Sequence, residues 1–187
     1  MSLSRYLVYA IITSLLAVLV IIVTVVMDGW PSAILGWPEA LEPVGMLTYV
    51  TFIAWACYFL FGANPKDVAK ALVSMIVGII FAIIIFLVSG AFADLGLGFW
   101  ALPLAAFIIV IFMLLCGRVP HINNIPAIFV GAGVFFSLAS AGAFAGGEIQ
   151  HFLLVGGTQL LYTVMGFFAG WLTIMISGLL TKKEDGA

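Results

Sequence analysis

Six residues near the C-terminal end recur at helical intervals: Gln159, Thr163, Gly166, Gly170, Thr173 and Ser177 are separated by four, three, four, three and four positions. That spacing puts all six on one face of a helix, and the face is polar or glycine throughout. Gln159 makes the strongest demand, because an amide carries donors and an acceptor that hydrocarbon cannot satisfy. It must face protein or water. Two roles fit the face. Gly166-x-x-x-Gly170 lets membrane helices approach closely, with Thr and Ser bonding across the contact. The same groups can line a path for a polar solute. Two further small faces stand upstream: Ser74, Gly78 and Ala82, then Gly133, Ser137 and Ala141 with Ser140 beside them.

Aromatic residues accompany these faces. Trp55, Tyr58, Phe59, Phe135 and Phe136 fit ordinary packing, or a pair of slots that strip water from a flat neutral molecule and admit it edge-on. Such a slot rejects ions on desolvation cost. Glu148 and His151, three positions apart, fit a solvated loop pair or a pH-sensitive gate, since histidine titrates near neutrality.

Charge-based chemistry has no foothold. No Asp, Glu, Lys or Arg lies deep in an apolar segment, and such residues mark proton relays and ion sites in membrane proteins. Proton-coupled transport and passage of strongly charged ions therefore lose weight, although backbone carbonyls at broken helices can still hold Na⁺. The chain has no P-loop, HExxH or GxSxG motif. Cys57 and Cys116 form no CxxC pair and no metal spacing. The expectation is a protein that is no enzyme and carries no metal or cofactor. Its net charge of -2 gives no footprint for nucleic acid.

The elements that position these residues follow from composition. Of 187 residues, 65% are hydrophobic and 7% charged, whereas a soluble domain carries roughly 25% charged residues. No polar stretch is long enough to fold outside a bilayer, so one transmembrane domain over 1–187 is expected. A spanning helix needs ~20 apolar residues. Six segments qualify, at about 6–27, 45–62, 69–90, 98–117, 125–145 and 152–180. The first follows Arg5 and exceeds the ~7–15 apolar residues of a secretory signal, which favours a retained helix. Gly29-Trp30-Pro31, Gly36-Trp37-Pro38, Gly62 to Pro65 and Pro120 to Pro126 punctuate the loops. Trp30, Trp37, Trp100 and Trp171 stand near helix ends, where tryptophan anchors in the headgroup layer.

Orientation is set by the basic residues. Arg5, Lys66, Lys70, Arg118, Lys182 and Lys183 all fall on one side of a six-helix topology, while the other three loops hold Asp28, Glu39, Glu42, Asp94 and Glu148. The positive-inside rule then puts both termini in the cytoplasm.

An internal repeat is one reading of the order of the helices. Phe52-Ile53-Ala54 and Tyr58-Phe59 match Phe129-Val130-Gly131 and Phe135-Phe136 at an offset of 77. Gly78, Ala82 and Ser89 match Gly166, Gly170 and Ser177 at an offset of 88. A three-helix unit repeated directly enters the membrane from opposite sides, giving a 3+3 inverted repeat of the kind found in transporters. Low-complexity apolar sequence also produces such matches by chance. Both readings stay open at this point.

Two stretches carry a family resemblance: Trp55-Ala56-Cys57-Tyr58-Phe59 running into Gly62, Lys70 and the Gly78 helix, and Ile125-Pro126-Ala127-Ile128-Phe129-Val130-Gly131-Ala132. The chain resembles, over roughly residues 30–180, small bacterial inner-membrane proteins of domain-of-unknown-function family 1097. The resemblance implies a bacterial inner-membrane location and a six-helix or similar topology. It implies no activity and no site residues, and the paired Gly-Trp-Pro motifs lie outside it.

Neutral interiors, polar-and-small faces and the repeat lead to one expectation: a channel or facilitator for a small uncharged polar solute, such as a urea-like amide or a dissolved gas. Its partners would be the lipid bilayer, that solute and further copies of the chain in a homo-oligomer. The path residues would be Gln159, Thr163, Ser74, Ser137, Ser140 and the five aromatics, with Gly78, Gly133, Gly166 and Gly170 packing helices. The alternatives are a secondary transporter with alternating access and a non-transporting scaffold subunit.

Overall fold

A computed structural model describes residues 3–28, 47–140 and 149–181. Among them are six α-helices and no strands: α1 Leu3–Asp28, α2 Thr48–Leu60, α3 Pro65–Asp94, α4 Ala101–Leu115, α5 Ile125–Ser140 and α6 Ile149–Thr181. Single 3₁₀ turns flank α4 at Gly98–Trp100 and Cys116–Arg118.

Four stretches are long and apolar enough to cross a membrane: Leu3–Met27, Pro65–Asp94, Gly98–Arg118 and His151–Leu180. At ~1.5 Å per residue the 30 residues of α3 and the 33 of α6 outrun a ~30 Å hydrocarbon slab. α2 and α5 are short, with 13 and 16 residues. The expected ends of these two helices at 45–46 and 141–145 lie outside the described residues.

The outward faces explain why such a chain needs lipid. Leu7, Ile11, Leu15, Val18 and Ile22 of α1 and Phe107, Phe112 and Leu115 of α4 are exposed. Water would penalise these faces at roughly 25 cal/mol per Å² of apolar surface, whereas acyl chains do not. None of Arg5, Lys66, Asp67, Lys70, Asp94 and Arg118 is buried. The chain is a multi-pass, all-helical membrane protein.

Helix boundaries follow local chemistry. α2 ends where Gly62 and Ala63 adopt positive φ, 108° and 54°. Asn64 then caps α3. Its Oδ1 accepts from the backbone N–H groups of Lys66 (3.1 Å) and Asp67 (3.0 Å), and Pro65 takes the first helical position, where no N–H is needed. Asn124 repeats the device for α5, with Oδ1 accepting from Ala127 N–H at 3.1 Å. Pro103 falls in the first turn of α4, where its missing N–H costs little.

The chain divides into two compact units, residues 1–68 with 161–187, and residues 69–160. The first contains α1, α2 and most of α6; the second contains most of α3, α4, α5 and the start of α6. This partition does not follow the halves 1–3 and 4–6 in chain order.

Candidate functional site

In the second unit, α3 and α5 meet backbone to backbone. A Cβ on Gly78 would collide with the Ile128 carbonyl and sit 2.9 Å from Ala132 N. A Cβ on Gly131 would collide with the Met75 carbonyl and sit 2.8 Å from Met75 Cα. Glycine at both positions is what permits the approach, in the manner of small-residue membrane contacts. Around it pack Ile79, Ala82, Ile85, Phe135 and Phe152.

Gln159 of α6 completes this crossing. It is 2% exposed, and its Nε2 donates to the Gly131 carbonyl at 2.8 Å. Its Oε1 is buried with no hydrogen-bond partner. Ser74 is fully buried, and its Oγ also has none. Leaving such a group unpartnered costs ~1–3 kcal/mol.

The first unit has its own crossing, between α2 and α6. A Cβ on Gly166 would collide with the Thr51 carbonyl and sit 2.9 Å from Trp55 N, and one on Gly170 would sit 2.5 Å from Tyr58 Cβ. The Trp55 indole Nε1 donates to Thr173 Oγ1 at 3.1 Å, and that hydroxyl donates to the Ala169 carbonyl at 2.8 Å. Thr51 Oγ1 and the Tyr58 hydroxyl are buried without partners. α1 joins through Thr24 Oγ1 and Thr48 Oγ1, 2.8 Å apart.

The two crossings share a pattern. Gly78 abuts Ile128 O and Ala132 N, while Gly166 abuts Thr51 O and Trp55 N. Thr51 and Ile128 stand 77 positions apart, Trp55 and Ala132 also 77, and Gly78 and Gly166 stand 88 apart. The same backbone atoms meet the same glycine in each.

The expected path residues are divided between these places. Gln159 and Ser74 belong to the second unit with Gly78. Thr163, Gly166, Gly170, Trp55 and Tyr58 belong to the first, and Thr163 is buried like its neighbours on the α6 face. Phe135 and Phe136 join a phenylalanine cluster, with Phe86–Phe136 centroids at 4.8 Å and Phe86–Phe152 stacked at 5.5 Å. Phe135 is buried there and Phe136 half-buried, and Phe59 of α2 is exposed.

The expected small face of α5 is not an inward one. Gly133, Ser137 and Ser140 are exposed, and a Cβ on Gly133 would meet nothing within 4 Å. α3 packs instead on the face that carries Gly131, Ala132 and Phe135. Glu148, Trp30 and Trp37 lie outside the described residues, and His151 is partly buried.

Gly131, Thr51, Phe86 and Phe152 were not among the expected site or packing residues. Gly131 sits within the apolar run Ile128 to Val134, where no polar periodicity singles it out. Its alignment with Ala54 under the 77-residue offset was the available signal.

Residues 10–156 match the family described as "Protein of unknown function (DUF1097)". No curated protein and no solved structure matches the chain. The family match covers most of the sequence and includes both α2 and α5, so the chain belongs to the DUF1097 family.

Proposed function

We propose that the protein is a channel or facilitator for a small uncharged polar solute, of the urea-like amide or dissolved-gas class, in a bacterial inner membrane. The observation that carries this reading is Gln159. A buried amide in an apolar core, with one end held to a backbone carbonyl and the other unpartnered, suits a neutral guest better than a sealed packing contact. Among the described residues whose burial is given, no Asp, Glu, Lys or Arg is a buried residue, Arg5 being half-buried, which supports a neutral cargo. On this reading the protein is not an enzyme, has both termini in the cytoplasm, and assembles as a homo-oligomer.

Alternating access is the second reading, and the paired crossings favour it. Short apolar segments at corresponding places in two halves point to a transporter's binding region, and α2 and α5 are such a pair. The 3+3 repeat is supported by the offsets of 77 and 88, which relate the α3–α5 contact to the α6–α2 contact. The repeat then has its third helices exchanged, since α6 packs with α2 and α3 with α5.

A stopped-flow swelling assay on proteoliposomes with urea, formamide, glycerol and ammonium tests the proposal. Accelerated entry of one or more neutral solutes, indifferent to ion gradients, is the expected result. Rates equal to protein-free vesicles for every solute would refute it, and dependence on a counter-ion would select the transporter.

A further inference from the structure

The two crossings share a backbone contact but not a chemistry. At the 77-residue offset Thr51, Trp55 and Tyr58 of α2 stand where α5 has Ile128, Ala132 and Phe135. At the 88-residue offset Thr173 of α6 stands where α3 has Ile85. All of these residues are buried. Hydrocarbon fills each of the places in the second unit, so packing does not demand the hydroxyls and the indole N–H of the first. Every buried residue of α5 is apolar, whereas α2 buries Thr48 as well as the three already named.

The polar groups of α2 are only partly satisfied. Trp55 Nε1 donates to Thr173 Oγ1 at 3.1 Å, and Thr48 Oγ1 lies 2.8 Å from Thr24 Oγ1. Thr51 Oγ1 and the Tyr58 hydroxyl have no partner. A buried orphan penalises the closed contact, and water that reaches it on opening removes the penalty. The second unit has orphans too, Ser74 Oγ and Gln159 Oε1, but they belong to α3 and α6. α5 is held from several sides. Its Gly131 accepts from the Gln159 amide at 2.8 Å and lies against Met75, and its Phe135 packs on Phe86 and Phe152. Parting α5 from α3 would expose an apolar face to water, which is unfavourable throughout.

We infer that the α2–α6 crossing is the one that opens, with α2 leaving the Gly166–Gly170 face while α5 stays packed on α3. Opening turns the Thr51 and Tyr58 hydroxyls from orphans into contacts for water or a passing polar solute. The difference in mobility stands on the two crossings themselves; its role as the gate rests on the transport reading.

Hydrogen–deuterium exchange of the full-length protein in lipid nanodiscs, read by mass spectrometry on peptides from α2 and α5, tests the inference. The amides of Trp55 to Tyr58 are expected to exchange about tenfold or more faster than those of Ala132 to Phe135, since local opening sets the rate. Thr51→Val combined with Tyr58→Phe gives α2 side chains as apolar as those of its counterpart. It should slow α2 exchange about tenfold or more and leave α5 exchange unmoved, because relief of each orphan favours the closed contact by roughly that factor. Exchange of α5 as fast as that of α2, or a folded double variant with α2 exchange unchanged or faster, would overturn the inference. Should the double variant not fold, the comparison within the unaltered chain decides alone. Solute flux with α2 no faster than α5 would leave the channel and remove the gate; fast α2 exchange without flux of any solute would leave the moving helix and remove the channel.

Discussion

The side-chain amide of Gln159 reaches from α6 to the backbone carbonyl of Gly131 on α5, at 2.8 Å. Gly131 in turn meets Met75 of α3 through its backbone. One hydrogen bond therefore reports on three helices, and the polar residue sits where glycine has already cleared the side chains.

Gln159→Leu is expected to lower solute flux while leaving the protein folded. The variant loses one bond worth ~0.5–1.5 kcal/mol but also removes a buried orphan oxygen, so the net change in stability is small. Flux in proteoliposomes, beside the thermal unfolding midpoint in detergent, checks both halves. Unchanged flux in a folded variant would take Gln159 off the path.

Alanine at the crossing glycines should separate sharply from alanine elsewhere. At Gly78, Gly131 or Gly166 a methyl group meets a backbone carbonyl that cannot move without its helix, and overpacking of this kind costs about 1–3 kcal/mol or more. At Gly133 or Gly157 nothing lies within 4 Å, and alanine in a helix gains up to ~1 kcal/mol over glycine. Unfolding midpoints of the five variants should fall into these two groups, and overlap between them would refute the close crossings.

The Trp55–Thr173 bond should show coupling in a double-mutant cycle. Trp55→Phe, Thr173→Val and the double variant are expected to give an interaction of about 0.5–1.5 kcal/mol, the range for a neutral hydrogen bond. Additive effects would mean that the 3.1 Å contact contributes nothing.

Phe152→Ala should destabilise by about 3–5 kcal/mol, as for other buried aromatic truncations, because it empties the stack with Phe86 and the contact with Phe135. Phe59→Ala, on an exposed ring, should cost much less. Equal losses would contradict the difference in burial.

Topology is open to a direct measurement. If all six helices cross the membrane, Arg5, Lys66, Lys70, Arg118, Lys182 and Lys183 fall on one side, and reporter fusions at either end should be active only in the cytoplasm. A periplasmic signal from either end would reverse the assignment.

The hydrophobic inventory determined much of this protein by itself. Runs of some twenty apolar residues broken by Asn-Pro and Gly-Trp-Pro punctuation leave helices as the structure that satisfies the backbone in lipid. Yet α3 begins at Pro65 and not at 69, because Asn64 caps it and Pro65 takes the first helical position. The burial of the α6 face was also legible, because six polar or glycine residues at helical spacing point one way. What each stretch of that face touches was not. Gln159 works with α5, while Gly166, Gly170 and Thr173 work with α2, and a one-dimensional period does not say where a long helix passes from one unit to the other. Nor does periodicity choose between Gly133 and Gly131 on α5. That choice was made by tertiary packing: the α3 backbone lies against Gly131, while nothing lies within 4 Å of a Cβ at Gly133.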